Sequence, residues 1–362
     1  MLPEVVARSL RAAGRGVIVL ALDGLSHEVA AETLRHAHLR PLRSTFPSTS
    51  TTAWLTSVTG VPASEHGAVG MVYRSPGAAS VTHLVTGRSI GFGDSQAADP
   101  ATELVVPRAT VFDLATAAGR PAHVLGAELE RLSGAWVEAL LHGARLLPSA
   151  ADGLRTDPVE VAERSVRDVD AALVQVCHRA TAPGLLWVYV NLDEHIHRHG
   201  HDGRLRRALA LLDAAGDRWA EAGWTALAYA DHGQSPVAPR EQLQDAWRDL
   251  DSPAWCRMPA GGAGRVRWMH PRPGRRDELA ERLADTLGRH ALVLSPADLE
   301  ARGLLTATDT VLDRIGEVVA VATSPSFPVP DPSLSFEHGA CSAEETTVPL
   351  AGWGSALTTA VP

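Results

Sequence analysis

Apolar residues along this chain fall into short, unbroken runs that stop abruptly at polar ones. The runs Gly16–Leu22, Ala122–Leu125, Gly184–Val190, Trp224–Ala230 and Glu317–Thr323 are rich in Val, Leu and Ala. Continuous apolar runs of this length predict strands buried on both faces, since a sheet with one wet face would alternate. Between them, Leu114–Ala118, Pro158–Ala180 and Leu205–Ala222 predict helices, the two longer ones by apolar residues at three-to-four spacing. Strand alternating with helix predicts an α/β fold whose mostly parallel sheet is covered on both faces. In such sheets functional residues gather at the carboxyl ends of strands.

The stretch Pro236–Pro330 breaks this rhythm. It passes through Gly261-Gly262-Ala263-Gly264 into a strand-like Arg265–His270, a helix-like Asp277–His290 and a short apolar run Ala291–Ser295. It is expected to be a small α+β cap inserted into a core made of 1–235 and 331–362. Gly77–Pro107 is expected to be a loop that overhangs the site.

Composition narrows the function classes. The hydrophobic share of 45% and charged share of 21% permit a sizeable core. The net charge of −9 opposes binding to a nucleic-acid polymer, which needs a basic patch to displace counterions. All 33 basic residues are arginine, which coding bias explains as readily as phosphate recognition does. Cys177, Cys256 and Cys341 form neither a disulfide framework nor a CxxC pair, and no run is long enough to span a membrane. A cytoplasmic protein with no membrane partner is expected.

Ligand-type side chains follow the predicted strands. Asp23 stands directly after the first strand, where Asp-Gly alone would mark only a turn. The cluster Ser44-Thr45-Phe46-Pro47-Ser48-Thr49-Ser50-Thr51-Thr52 opens a helix. It can supply an N-cap, or a hydroxyl nucleophile at a positive helix end. Asn191-Leu192-Asp193-Glu194-His195-Ile196-His197-Arg198-His199-Gly200-His201 places four of the chain's 16 histidines at alternate positions. The carboxylate of Asp193 and imidazole of His197 suit zinc, manganese or iron. Asp231-His232-Gly233 closes the fourth strand, with Gly233 expected to permit a sharp turn. Phe336-Glu337-His338-Gly339 follows later, with Ser342-Ala343-Glu344-Glu345 beyond it. A two-metal phosphoryl-transfer site needs roughly six Asp and His ligands. Asp23, Asp193, His197, Asp231, His232 and His338 meet that count.

In that order, the set resembles the alkaline phosphatase superfamily, and within it the type I phosphodiesterase and nucleotide pyrophosphatase family. The likeness runs through Gly16–Gly70, Trp187–Gly200, Leu227–Gly233 and His338–Leu350. It implies a three-layer α/β/α sandwich and two divalent metal ions, generally zinc, with manganese and iron in relatives. By the same resemblance Asp23, Asp231 and His232 hold one ion with the nucleophile's oxygen, and Asp193, His197 and His338 hold the other.

Relatives place the nucleophile nine residues before the Thr of a Thr-Gly pair, which from Thr59 gives Ser50. Thr49, Thr51 and Thr45 are the alternatives, Thr45 because eukaryotic-type members carry Thr-Phe-Pro there. The implied reaction cleaves a small-molecule phosphate diester or pyrophosphate through a covalent phospho-enzyme.

One departure stands out. Nucleotide pyrophosphatases carry an Asp-Asn pair after the next His-Gly, whereas His66-Gly67 is followed here by Ala68-Val69-Gly70-Met71. The missing amide leaves phosphomonoesterase, phosphonate hydrolase and phosphomutase open on the same scaffold. A non-catalytic metal- or ligand-binding member also remains open. His199 or a cap arginine would then replace the phosphate contact, and His195, His199 and His201 otherwise support the ligands or stand exposed. A metallo-β-lactamase-like reading of His195-x-His197-x-His199 leaves Ser50 and Asp231-His232 without a role.

Overall fold

The fold was analysed in a computed structural model that describes residues 2–12, 14–75, 79–93, 105–149, 156–179 and 184–356, the side chains of 175–179 excepted. A seven-stranded sheet forms the centre, in the order His38–Arg43, Thr347–Gly352, Thr225–Ala230, Gly16–Asp23, Gly184–Asn191, Ala122–Leu125, Arg145–Leu146. Gly16–Asp23 pairs in parallel with both Gly184–Asn191 and Thr225–Ala230. Only Thr347–Gly352 runs against its neighbours.

The central strand shows why the sequence gives three layers. Side chains alternate across a strand, so Val17, Val19 and Ala21 join one core and Ile18, Leu20 and Leu22 the other. The first core packs under the helices Leu2–Ala12, Ser50–Thr59, Val111–Ala117 and Ala135–Leu140. The second packs under Pro158–Arg179 and Gly203–Glu221. The result is the α/β/α sandwich with a mostly parallel sheet.

A second seven-stranded sheet is antiparallel throughout. Its order is Ala291–Leu294, Val318–Ala322, Val266–Pro271, Cys256–Ala263, Val72–Arg74, Val81–His83, Ser89–Ile90. Two expectations change here. Glu317–Thr323, expected in the parallel sheet, supplies Val318–Ala322 to this antiparallel one. A continuous apolar run reports burial on both faces, and here the second sheet provides it. Gly77–Pro107, expected as loop, contains two short strands, although 77–78 and 94–104 lie outside the described residues. The edge strand His38–Arg43 and its neighbour Thr347–Gly352 carried no strong apolar signal. Cys256 and Cys341 are free thiols, and no described helix is long and apolar enough to cross a membrane.

An aromatic wall seats the Ser50–Thr59 helix on the sheet. Trp54 is wholly buried and meets Trp187, Tyr189 and Tyr229 edge-on, at centroid separations of 5.6, 5.9 and 5.4 Å. Edge-to-face pairs add to the area they bury. Trp136 Nε1 donates to the Thr51 carbonyl at 2.9 Å, and Gly60, in left-handed conformation at φ +73°, ends the helix. Trp54→Ala is expected to cost about 3–5 kcal/mol of stability, read as a lower midpoint in urea unfolding. A loss under about 1 kcal/mol would show that the wall does not hold the helix.

Candidate metal centre and nucleophile

The strand register brings the first carboxylates together. Asp23 ends the central strand opposite Asn191, and Leu22 pairs with Ala230, so Asp23 and Asp231 leave adjacent strands at the same level. Asp193 opens the helix Asp193–His199, and His197 follows one turn later. Gly24 lets these segments close. Its φ is +80°, and a Cβ there would stand 2.8 Å from Asp193 Oδ1. Gly233 works differently from the expected turn: its φ is not positive, and its missing Cβ makes room for the Glu344 carbonyl and Ser26.

Two triads result. One ligand atom each from Asp23, Asp231 and His232 lies within 4.8 Å of the others, and the same holds for Asp193, His197 and His338. The rings of His232 and His338 stack at 3.8 Å, joining the triads. The hydrogen bonds leave each ligand with a donor atom facing its group. His232 Nδ1 lies 3.0 Å from the Gly233 carbonyl, His197 Nδ1 2.8 Å from that of Phe336, and His338 Nδ1 2.9 Å from that of Ser48. A carbonyl only accepts, so each Nδ1 carries a proton and Nε2 is left as the atom each ring offers to its triad.

The carboxylates follow the same rule. Asp23 Oδ2 accepts from Tyr189 Oη, Asp231 Oδ1 from the Gly24 N–H at 3.2 Å, and Asp193 Oδ1 from Gln234 Nε2 at 2.6 Å. Asp231 Oδ2 is buried with no hydrogen-bond partner among the described residues. An orphaned carboxylate oxygen inside a set of Asp and His donors fits a divalent cation.

Electrostatics agree. Burial, then repulsion from Asp231 and Asp193, pushes the Asp23 carboxyl well above its usual range. Burial, then Asp193, pushes Asp231 up to about 8. Burial holds His232 and His338 down at about 4, leaving both neutral. Asp193 and His197 pair at 3.1 Å; against its own burial Asp193 is held low by that partner, and His197 rises to about 10.

Of the hydroxyl cluster, Ser50 alone among the described residues hydrogen-bonds to triad side chains, while Ser44 Oγ donates to the Asp231 main-chain carbonyl. Its Oγ lies 3.0 Å from His232 Nε2 and 3.3 Å from Asp23 Oδ1. Thr45 Oγ1 donates to the Pro47 carbonyl, and Thr51 Oγ1 donates to that of Gly70. Thr49 is the helix N-cap, yet its buried hydroxyl makes no capping bond and has no partner among the described residues. His195 instead faces Asp202, at 3.0 Å, the residue that caps the helix Gly203–Glu221. His199 is exposed, with its ring 4.8 Å from that of His195. Neither joins a triad.

Several residues of the site lay outside the expectation. Tyr189 and Gln234 orient carboxylates, and a buried Arg265–Glu345 pair at 3.2 Å anchors the His338 loop, with Glu345 accepting from the Ala340 N–H at 2.9 Å. In the segment Ala68–Met71 that follows His66-Gly67, the first three residues are buried and Met71 lines the site cavity. Ala68 and Val69 are fully buried, and the Val69 carbonyl accepts from Trp268 Nε1 at 2.8 Å. A cavity of about 460 Å³ opens over Ser50, Asp193, His197 and His338, walled by Met71, Val72, Val81, Ile90 and the stretch 259–264.

With this geometry in view, the comparisons decide the family. The sequence profile of the type I phosphodiesterase / nucleotide pyrophosphatase family matches residues 17–338. The chain belongs to that family. Among solved structures it is similar to murine ectonucleotide pyrophosphatase/phosphodiesterase 5, at 17% identity and TM-score 0.64 over 93% of this chain and 87% of that one. An inactive variant of the murine protein, in complex with AMP, gives 17% identity and TM-score 0.65 over 93% and 88%. Phosphonoacetate hydrolase from Sinorhizobium meliloti 1021, in complex with phosphonoformate, gives 17% and 0.60 over 93% and 89%. Among curated proteins none matches.

The crowding of charge sets a prediction. Asp231→Asn keeps an acceptor for the Gly24 N–H and removes a carboxyl that burial and Asp193 disfavour in its ionised form. The variant without metal should therefore be at least as stable as wild type. A divalent ion at a thousand times its dissociation constant should stabilise wild type by about 4 kcal/mol and the variant far less, as read by melting temperature with zinc and with chelator. Equal zinc-induced shifts in the two proteins would exclude Asp231 as a ligand.

Proposed function

We propose that this chain hydrolyses a small-molecule phosphate or phosphonate ester, with Ser50 as nucleophile. The observation that carries this is the position of Ser50 Oγ, between His232 and Asp23 at the first turn of a ten-residue helix. The exposed N–H groups and dipole of such a turn favour an anionic phosphoryl group there.

Asp23, Asp231 and His232 would hold one divalent ion and Asp193, His197 and His338 a second, most simply zinc, with manganese or iron alternatives. When bound, such ions neutralise charge on the transferring group and acidify a hydroxyl. The chain's own residues do the positioning. Tyr189, Gly24 and Gln234 fix the carboxylates, three backbone carbonyls fix the imidazole tautomers, and Trp54 fixes the helix that carries Ser50. Ser50 Oγ forms a bond to phosphorus as the bond to the leaving oxygen breaks. Water then replaces Ser50 on phosphorus and frees the enzyme. Such a reaction is mostly positioning and electrostatics. The segment 236–330, together with the strands Val72–Arg74, Val81–His83 and Ser89–Ile90, forms the cap that selects the ester's other half.

The likeness to a nucleotide pyrophosphatase/phosphodiesterase supports a diester or pyrophosphate substrate. The buried Ala68–Val69 segment, with no amide to meet the phosphate, favours a second reading, phosphonate or monoester hydrolysis. Zinc-loaded protein given bis-p-nitrophenyl phosphate and p-nitrophenyl phosphate separates the two by which ester turns over. Ser50→Ala should lower turnover at least about a thousandfold without lowering the melting temperature. Undiminished turnover in that variant would remove Ser50 from the reaction.

A further inference from the structure

The cavity over the triads holds an arginine that phosphoryl chemistry leaves unused. Arg267, on the strand Val266–Pro271, lines the same cavity as Ser50, Asp193, His197 and His338, and is the only arginine among the described lining residues. Its side chain is 11% exposed, and the nearest carboxylate, that of Asp251, stands 3.9 Å from Nη2. Its one hydrogen bond among the described residues runs from Nη2 to the Ala260 carbonyl at 3.4 Å. Nε is buried and has no partner among the described residues. The face of Trp247, 5.4 Å away, supports the guanidinium plane.

Such a group is costly to bury. A guanidinium carries five N–H donors, and a buried charge with unmet donors loses its hydration without replacement. Arg265, two residues earlier, shows the contrast, since it is bonded to Glu345 at 3.2 Å. Asp251 accepts from the Ala260 N–H at 2.9 Å, and Glu337, also on the wall, accepts from the His338 N–H at 2.9 Å. These carboxylates hold the surrounding backbone and leave Arg267 donors unmet.

We infer that Arg267 forms a subsite for a second oxyanion, a carboxylate or terminal phosphate that the substrate carries beyond its reacting phosphorus. The inference rests on the phosphoryl-hydrolase reading above. Both groups offer paired oxygens that match the guanidinium fork, an arrangement a lysine or an amide would not reproduce. Asp251 and Glu337 oppose any anion not seated on that fork, so they sharpen the selection while weakening it overall.

Calorimetric binding to the zinc-loaded full chain tests this without turnover. Butylphosphonate has an apolar tail; 3-phosphonopropionate ends in a carboxylate and propane-1,3-diphosphonate in a phosphonate. Wild type should bind one of the charged-tail ligands at least about tenfold more tightly than butylphosphonate, and the better of the two identifies the oxyanion. Arg267→Gln and Arg267→Met should erase that preference while leaving butylphosphonate affinity unchanged, which also reports an intact fold. Asp251→Asn, which keeps an acceptor for Ala260, should strengthen the preference. Equal binding of all three ligands by wild type, or a preference that survives in both Arg267 variants, overturns the subsite. Failure of wild type to bind butylphosphonate overturns the phosphoryl-hydrolase reading instead.

Discussion

Three carboxylates crowd a dry pocket, and the rest of the site is arranged around that fact. Asp23 and Asp231 are almost fully buried, with ligand atoms within 4.8 Å of each other, and Asp193 lies close enough to raise both. Two unit charges at about 4 Å repel by about 4 kcal/mol at an effective dielectric of 20. Among the described residues their ion-pair partners are all histidines, and His197 is engaged by Asp193. Hydrogen bonds from Tyr189, Gly24 and Gln234 orient the carboxylates without cancelling their charge. The donor set suits a divalent cation, to which each imidazole offers Nε2 while a backbone carbonyl holds its Nδ1. Such strain, stored where function needs it, is the usual conflict between stability and activity.

What could be read in the chain follows from how local each feature is. The parallel strands were legible because burial on both faces needs an unbroken apolar run, and Gly16–Leu22 and Gly184–Val190 have one. The six ligand-type residues were legible because strand ends must carry them. His38–Arg43 was not, since an edge strand reading His-Leu-Arg-Pro-Leu-Arg needs little apolar surface. The partner sheet for Val318–Ala322 was hidden too, because burial records that a face is covered and not by what. Tyr189 and Gln234 were missed for a related reason: their partners lie 166 and 41 residues away, and the residues themselves look like ordinary strand and turn positions. For Arg265–Glu345, the Ser342-x-x-Glu345 capping box was a signal for one half only.

The hydroxyl cluster shows how tertiary structure separates residues that sequence leaves equivalent. Thr45, Thr49, Ser50 and Thr51 share chemistry and neighbourhood. Thr51 turns inward to the Gly70 carbonyl, and Thr45 folds back on Pro47. Helical periodicity then leaves Ser50 as the hydroxyl on the face toward Asp23 and His232. The Thr59-Gly60 pair has a plain role in this: Gly60 ends the helix in a left-handed conformation, so helix length and the angle of Ser50 are set together.

The two sheets divide the work in a way that fits the family's range of chemistry. The parallel sheet and its aromatic wall fix the triads and Ser50. The antiparallel sheet supplies the other wall of the cavity from two separate stretches of chain. The segment after His66-Gly67 ties the core to the second sheet, since the Val69 carbonyl accepts from Trp268 Nε1. That sheet also lines the cavity. There the wall is apolar at Val72, Val81 and Ile90, and its only fixed cation among the described lining residues is Arg267. One cavity is thus lined both by triad residues and by the second sheet.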